Sequence, residues 1–424
     1  MDIFSELTWR GLIHQATAPD TLPAWLSSGR RTLYCGFDPS SDSLHVGSLL
    51  PALILRRFQK AGHRPIALVG GATGMIGDPS GKSEERNLLS AEQLRANVAG
   101  IGKQLQQFLD FDGPSGALLL NNLDWMGKFS YLDFLRDVGK HFPVNVMLAK
   151  DSVSSRIERE SGISYTEFSY MLLQAYDFVH LNRTHGCELQ IGGSDQWGNI
   201  TAGIDLARRM HGSQLFGLTC PLLLKSDGTK MGKTEKGAVY LSPTRTSPYA
   251  FYQYWINLAD ADCGGALRFL TELSREEIET LDTSRTAEPH LRQSQQRLAE
   301  ELTRLVHGGA GLVAARKATD VFFGAEFENL NDAQLTDIFA DVPSVELPRS
   351  VLDHEGLLLV EAFCKAGLAK SNSEASRTIQ HGGAYVNNRR REGRETRLTT
   401  SDLAGQTVLV LRTGKRNYAL IRFK

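Results

Sequence analysis

The sequence predicts an α/β fold: a Rossmann-like doubly wound parallel sheet, followed by a helical domain and a small α+β domain. Three observations predict it. Apolar runs alternate with amphipathic stretches through about the first 225 residues. Glycines and polar residues cluster just past the ends of those runs, where a doubly wound sheet opens its ligand crevice. From Asp353 onward the chain carries 13 Lys/Arg against 7 Asp/Glu, while the remainder carries 34 against 41. A basic tail on an acidic body is the electrostatic footprint of a nucleic-acid appendage.

In chain order, Thr32–Phe37, Pro65–Gly71, Ala117–Asn121, Glu188–Gly193 and Leu218–Leu224 read as strands. Several are continuous apolar runs, as parallel strands covered on both faces require. Between them, Gly47–Ala61 and Ala91–Leu109 have helical periodicity. These elements make residues 1–247 one catalytic-type domain. Residues 248–325 read as a helical domain that includes Thr286–His307, and residues 326–350 as a linker punctuated by Val342-Pro343 and Leu347-Pro348. Residues 351–424 read as a compact unit with helices at Leu357–Ala366 and Ser373–Gln380 and strands at Ala384–Val386, Gln406–Leu411 and Tyr418–Phe423.

Composition bounds the class. A chain of 424 residues, 41% hydrophobic and 22% charged, is long enough for two or three globular domains. Its five cysteines, Cys35, Cys187, Cys220, Cys263 and Cys364, form no C-x-x-C pair. That argues against a disulfide framework or a zinc site and fits a reducing compartment. Residues Met1 to Trp25 lack a signal peptide's basic start and unbroken apolar stretch, and no run reaches the length of a membrane span.

Two short signatures suit a polyphosphate. His45-Val46-Gly47-Ser48 stands at a helix start, with Ser43 or Asp42 as candidate cap; helix amides and dipole would face an anion there. Lys230-Met231-Gly232-Lys233-Thr234 puts two ammonium groups three residues apart in a glycine-flanked loop, suited to charge building on a pyrophosphate leaving group. The glycine-rich stretch Gly70–Ser83 is not a P-loop, because Ile76 stands where that motif needs glycine. Its glycines instead suit close backbone approach to a ligand. Asp78 can take an ammonium or a ribose hydroxyl, and Lys82 and Arg86 can reach over phosphates. On the helix Ser164–Phe178, Tyr170, Gln174 and Asp177 fall at i, i+4 and i+7, one polar stripe that either lines a pocket or faces solvent. After the strand Glu188–Ile191, Gly192-Gly193 lets the backbone approach a nucleoside, Asp195 can take ribose hydroxyls, and Gln196 a carboxylate or carbonyl.

Taken together, these residues resemble the class I aminoacyl-tRNA synthetases, and within that class the chain is similar to the bacterial tyrosyl-tRNA synthetases. His45–Ser48 matches the "HIGH" motif and Lys230–Thr234 matches "KMSKS". Tyr34, Asp78, Tyr170, Gln174, Asp177 and Gln196 match the family's tyrosine pocket, and the tail is similar to the S4 RNA-binding domain. The resemblance covers essentially the whole chain. It implies activation of L-tyrosine by ATP to tyrosyl-adenylate and transfer to the 3′-terminal adenosine of a tRNA, in the cytoplasm, by a homodimer. It also implies Mg2+ accompanying ATP, with no dedicated metal site. His45, Ser48, Lys82, Arg86, Lys230 and Lys233 would serve the transition state and pyrophosphate. Gly36, Asp38, Ser40, Gly47, Gly193 and Asp195, with Lys233, would bind ATP. Tyr170, Gln174 and Asp78 would hold the substrate ammonium. Tyr34 and Asp177 would hydrogen-bond the phenol, a buried pair that phenylalanine would leave unsatisfied.

Four positions depart from the family pattern: Ser48 for histidine, Gly232 and Thr234 for two serines, and Ser40 for threonine. The dimer interface would fall near Asn121–Ser164, with Tyr131, Phe134, Leu135 and Phe142 as apolar surface. Lys365, Lys370, Arg377, Arg389, Arg390, Arg391, Lys415 and Arg416 would face RNA phosphates. The competing readings are a tryptophan-specific synthetase, a P-loop NTPase, and a catalytically silent RNA-binding paralogue.

Overall fold

The computed structural model of the chain describes residues 2–80, 89–157, 162–235, 237–327, 330–340, 342–414 and 417–424. It divides into two compact units, Met1–Arg245 with Leu258–Leu298, and Thr246–Asn257 with Ala299–Lys424.

In the first unit six strands form one sheet: Gln15–Ala16 (β1), Thr32–Phe37 (β2), Arg64–Val69 (β3), Leu118–Asn121 (β4), Cys187–Gly193 (β5) and Phe216–Cys220 (β6). Their order is β1-β6-β5-β2-β3-β4, with β2 to β6 pairing in parallel and β1 antiparallel on β6. Ile66, Ala67, Leu68 and Val69 of β3 are at most 2% exposed, so this strand has no polar face and reads as an unbroken apolar run. From β2 the chain builds β3 and β4 to one side; β5 and β6 are laid on the other. The order therefore reverses between β2 and β5, and a crevice opens at their carboxyl ends.

Three helices line that end of the sheet. Val46–Lys60 follows β2, Tyr165–His185 precedes β5 and Trp197–His211 follows it. Tyr165–His185 starts at a Ser164 cap that accepts the Glu167 amide, and stops at Gly186, whose φ of 62° ends it in the left-handed region. A buried ion pair, Arg156 Nη2 to Glu167 Oε2 at 2.8 Å, fixes its first turn.

Two predicted elements end differently. The last strand stops at Cys220 rather than Leu224, because Pro221 has no amide for the ladder, and Leu224 is exposed. The helix predicted over Thr286–His307 is interrupted by a turn at Pro289–Leu291 and by Arg292 with φ 52°; the following helix, Gln293–Phe322, is itself kinked at Gly308.

The domain boundaries differ as well. Residues 248–325 are not a body of their own: Pro248–Ile256 falls in the second unit, and Asp260–Leu270 and Arg275–Ala287 fall in the first. The cause is local, since Cys263, Leu267 and Leu270 are fully buried and Arg57 Nη2 donates to the Thr271 carbonyl at 2.7 Å.

Residues 326–350 are not a simple linker either. They contain the helix Asp332–Ile338, started by a capping box between Asn331 and Gln334, and the strand Ser344–Leu347. That strand pairs in parallel with Asn417–Phe423 and forms the edge of a five-stranded sheet whose other members are Val408–Thr413, Ala384–Val386 and Arg389–Arg390. Its partner lies some 70 residues downstream, outside the reach of any local pattern. A further short pair joins Leu357–Leu358 to Arg397–Leu398.

The central ribbon of this sheet is buried on both faces. Leu409, Leu411, Ala419 and Ile421 pack with Phe363 and Ile379, while Val408, Val410, Tyr418 and Leu420 pack with Val321, Ile338 and Phe339. Asp332 fastens the supposed linker: its carboxylate accepts the Gln406 amide at 2.8 Å, the Thr407 amide at 2.9 Å and the Thr407 hydroxyl at 2.7 Å. Asp332→Ala should destabilise this unit by about 2–3 kcal/mol, read as a lowered urea midpoint with an unchanged m-value; an unchanged midpoint would return the segment to linker status.

Candidate active site

The crevice holds a cavity of about 450 Å³, lined by residues from β2, β3, β5 and β6 and from the turns and helices beside them. Every predicted site residue that lies among the described residues borders it: Tyr34, Gly36, Asp38, Ser40, His45, Gly47, Ser48, Asp78, Tyr170, Gln174, Asp177, Gly193, Asp195, Gln196, Lys230 and Lys233. Lys82 and Arg86 lie outside the described residues.

At the closed end, Asp177 is 2% exposed and its carboxylate accepts from two side chains, Trp125 Nε1 at 2.8 Å and Asn122 Nδ2 at 3.0 Å. Burial dominates these bonds and pushes its pKa up to about 7. Tyr34, 1% exposed, turns its ring edge to Phe178, and its hydroxyl has no hydrogen-bond partner. Burial first, and nearby Asp177 second, hold that phenol protonated. Gln190 Oε1 on β5 is likewise buried and unpartnered at the cavity wall. A buried polar atom without a partner is costly, and a ligand that supplies the partner recovers that cost.

Midway, Asp38 accepts from the Tyr170 hydroxyl at 2.8 Å and from Thr73 Oγ1 at 2.7 Å. Asn122 Nδ2 donates to Thr73 Oγ1 at 3.1 Å, so Asp38 and Asp177 belong to one network. Opposite, Asp78 accepts the Ser80 amide at 2.9 Å and Gln196 Nε2 at 2.7 Å. Gln174 Nε2 donates to Gln196 Oε1 at 3.1 Å, and Asn199 Nδ2 to Gln174 Oε1 at 3.0 Å. The stripe Tyr170, Gln174, Asp177 therefore faces the pocket and not solvent. Thr73, Ser80, Asn122, Trp125, Gln190 and Asn199 escaped sequence reasoning: each sits singly in a turn or element with no periodic partner. The weak signal was Asn121-Asn122 directly after a strand, two amides where the sheet ends.

At the mouth, His45 is itself the helix N-cap, in extended conformation, and neither Ser43 nor Asp42 caps. Ser43 is occupied elsewhere, donating to the Leu44 carbonyl at 2.8 Å and accepting from Gln104 Nε2 at 3.0 Å. Gly47 makes room for the imidazole, since a Cβ there would lie 2.9 Å from His45 Cε1. The lysine loop docks on this helix start. Val46 N donates to the Val239 carbonyl at 3.0 Å, Val239 N to the Gly232 carbonyl at 2.8 Å, and Leu241 N to the Leu44 carbonyl at 2.8 Å. Met231 is buried, whereas Lys230 and Lys233 are exposed, the latter in a short hairpin of Lys233–Thr234 with Gly237–Ala238. Gly232 has φ 84°, and a Cβ on it would lie 2.6 Å from Val46 Cβ. The glycine that departs from the motif is thus required by the seat it occupies.

In the second unit, Lys365, Lys370, Arg377, Arg389 and Arg390 are exposed. Arg391 is half-buried and paired with Asp402 at 2.6 Å, so it is the least available of the predicted cations among the described residues; Lys415 and Arg416 lie outside them.

Comparison with known proteins shows the family. The family described as tRNA synthetases class I (W and Y) matches residues 27–324, and the tyrosine–tRNA ligase SYY-like C-terminal domain matches residues 334–421. The tyrosine–tRNA ligase of Rhodopirellula baltica is 60% identical, covering 100% of this chain and 96% of its own length. That of Roseiflexus castenholzii is 56% identical over 99% of both. Among solved structures, a C-terminally truncated mitochondrial tyrosyl-tRNA synthetase from Aspergillus nidulans superposes with TM-score 0.69 at 30% identity, covering 76% of this chain and 94% of that one. Full-length identity to ligases for tyrosine favours the tyrosine reading over the tryptophan and P-loop ones: the chain belongs to the class I tRNA synthetases, among the tyrosine–tRNA ligases.

Proposed function

We propose that the two ends of the crevice divide the ligase reaction between recognition and phosphate chemistry. An oxygen of the tyrosine carboxylate bonds to the ATP α-phosphorus and pyrophosphate leaves, giving tyrosyl-adenylate. A hydroxyl of the tRNA 3′-terminal adenosine then attacks the activated carbonyl, and AMP leaves. No protein nucleophile is needed, so the protein's contribution is positioning and charge stabilisation.

The observation that carries this reading is the unpartnered Tyr34 hydroxyl at the closed end beside the doubly held Asp177. A phenol there can accept from Tyr34 and donate to Asp177. Phenylalanine would leave both buried groups unpaired. Asp78, with Tyr170 and Gln174, forms the acceptor-rich belt for the substrate ammonium, and Gln196 faces its carboxylate. Gly36, Asp38, Gly47, Gly193 and Asp195 with Ser40 line the path for ATP, where Asp195 takes the ribose. His45, Ser48, Lys230 and Lys233 face the phosphates, joined by Lys82 and Arg86. Mg2+ enters with ATP as the substrate complex; among the described residues no group of three His, Cys, Asp or Glu is placed to hold an ion.

Exposed Tyr131, Leu132, Val144, Val146, Leu148 and Tyr165 support a homodimer through this segment, with Phe134, Leu135 and Phe142 half-buried behind them. The basic face of the S4-like tail supports contact with tRNA phosphates. Five free cysteines support a cytoplasmic location.

The first test is amino-acid-dependent exchange of labelled pyrophosphate into ATP. Exchange with tyrosine alone is expected; exchange with tryptophan would overturn the pocket assignment, and none, from folded protein that binds tRNA, would mean a silent paralogue. Asp177→Ala should narrow the kcat/KM preference for tyrosine over phenylalanine by about 10- to 100-fold. Tyrosine binding favours the ionised form of Asp177, whose pKa is raised to about 7. Affinity should therefore rise with pH up to about 7 and level off above it, in equilibrium dialysis between pH 5.5 and 8.5, and Asp177→Asn should flatten the profile. Lys233→Ala should lower kcat for adenylate formation by about 10²-fold or more while tyrosine affinity stays within about twofold; an equal loss in both would remove Lys233 from the transition state.

A further inference from the structure

The loop that carries Lys230 and Lys233 has a second attachment, outside the pocket. Its base is a closed hairpin: Lys225 N donates to the Thr229 carbonyl at 2.8 Å, and Met231 N to the Leu223 carbonyl at 2.9 Å. At the start of this hairpin the Ser226 amide donates to Asp262 Oδ1 at 2.6 Å. Asp262 is 8% exposed and lies in the first turn of the helix Asp260–Leu270. No role in substrate recognition falls to this helix, and Asp262 does not line the cavity.

The other end of that helix is pinned with equal care. Arg57 Nη2 donates to the Thr271 carbonyl at 2.7 Å. Arg10 donates to the carbonyls of Arg268 at 3.0 Å, Thr271 at 3.2 Å and Leu273 at 2.9 Å. Glu272 pairs with Arg56 at 2.8 Å and Lys60 at 2.6 Å. Arg56, Arg57 and Lys60 all belong to the helix that begins at His45. One rigid strut of about 16 Å therefore joins the far end of the His45 helix to the first amide of the lysine loop.

We propose that Asp262 is a positioning residue for adenylate formation: it sets where Lys230 and Lys233 stand relative to His45 by holding the loop base on this strut. The inference rests on the phosphate role assigned above to the two lysines. A carboxylate accepting a backbone amide is a strong, directional tie, and small displacements of a charge-stabilising group are costly in rate while leaving substrate binding intact.

The test measures tyrosine-dependent pyrophosphate exchange and tyrosine affinity for Asp262→Ala, Asp262→Asn, Ser226→Pro, Lys233→Ala and the double variant Asp262→Ala/Lys233→Ala. Asp262→Ala should lower kcat by roughly 10- to 100-fold with tyrosine affinity unchanged. Asp262→Asn, which keeps an acceptor oxygen, should recover most of the rate. Ser226→Pro removes the donor from the exposed loop side and so cannot disturb the strut; it should reproduce the loss. In the Lys233→Ala background, Asp262→Ala should cost clearly less than in the unmodified enzyme, because the part of its effect that acts through Lys233 is already lost and only that through Lys230 remains. Fully multiplicative losses, a matching fall in tyrosine affinity, or normal kcat in Asp262→Ala and Ser226→Pro would overturn the anchoring role while leaving the lysine assignment standing. A Lys233→Ala enzyme with normal exchange would overturn that assignment and the anchoring with it.

Discussion

The reversal of strand order between β2 and β5 is the constraint on which everything else in the first unit hangs. Two parallel strands leave their neighbours on opposite sides, so no connection crosses the gap at their carboxyl ends. That gap lets Tyr34, Gly36 and Asp38 from one strand end face Gly192, Gly193 and Asp195 from the other. Cover the gap with a crossover and both glycine turns would become ordinary loops. The helix Tyr165–His185 can then deliver three polar residues from a single stripe into the crevice, with its first turn held by the buried Arg156–Glu167 pair.

The crevice is polar in its depth, which is expensive in a protein interior. The cost is offset by networks in which nearly every member is satisfied. Asp177 and Asp38 are joined through Asn122 and Thr73, and Asp78 is joined to Gln174 through Gln196. What stays unsatisfied, Tyr34 Oη and Gln190 Oε1, is therefore informative in a way that a loosely solvated site would not be. The mouth follows another logic. There the backbone dominates, and the lysine loop is seated by main-chain bonds to the start of the His45 helix.

How much of this was legible depended on range. The strands read well because a strand covered on both faces is a continuous apolar run. The site residues read well because His45, the lysine pair and the Tyr170 stripe are local patterns with a chemical meaning. Thr73 and Asn199 were invisible, since a lone hydroxyl or amide has no spacing to betray it, and Asn122 gave only the weak signal of two amides at a strand end. The segment 326–350 was misjudged for a related reason: Ser344–Leu347 is four residues between prolines, and only a strand far downstream makes it part of a sheet. At Gly232, a departure from the motif, the left-handed φ and the close approach of Val46 mark a fixed seat. Asp262 had no sequence signal at all, because its partner is a main-chain amide.

The chain of hydrogen bonds running from Tyr170 through Asp38, Thr73 and Asn122 to Asp177 and Trp125 has a direction that can be read bond by bond. Tyr170 and Thr73 donate hydrogen bonds to Asp38; Asn122 and Trp125 donate theirs to Asp177. Tryptophan cannot accept, and the nitrogen of an asparagine amide cannot either. Donors thus converge on each carboxylate from both sides, and no sequence of hops can carry a proton from one end to the other. The row is an insulator. It can sense what sits against it without exchanging a proton along its length, which suits the recognition of an unchanged hydroxyl proposed for that end.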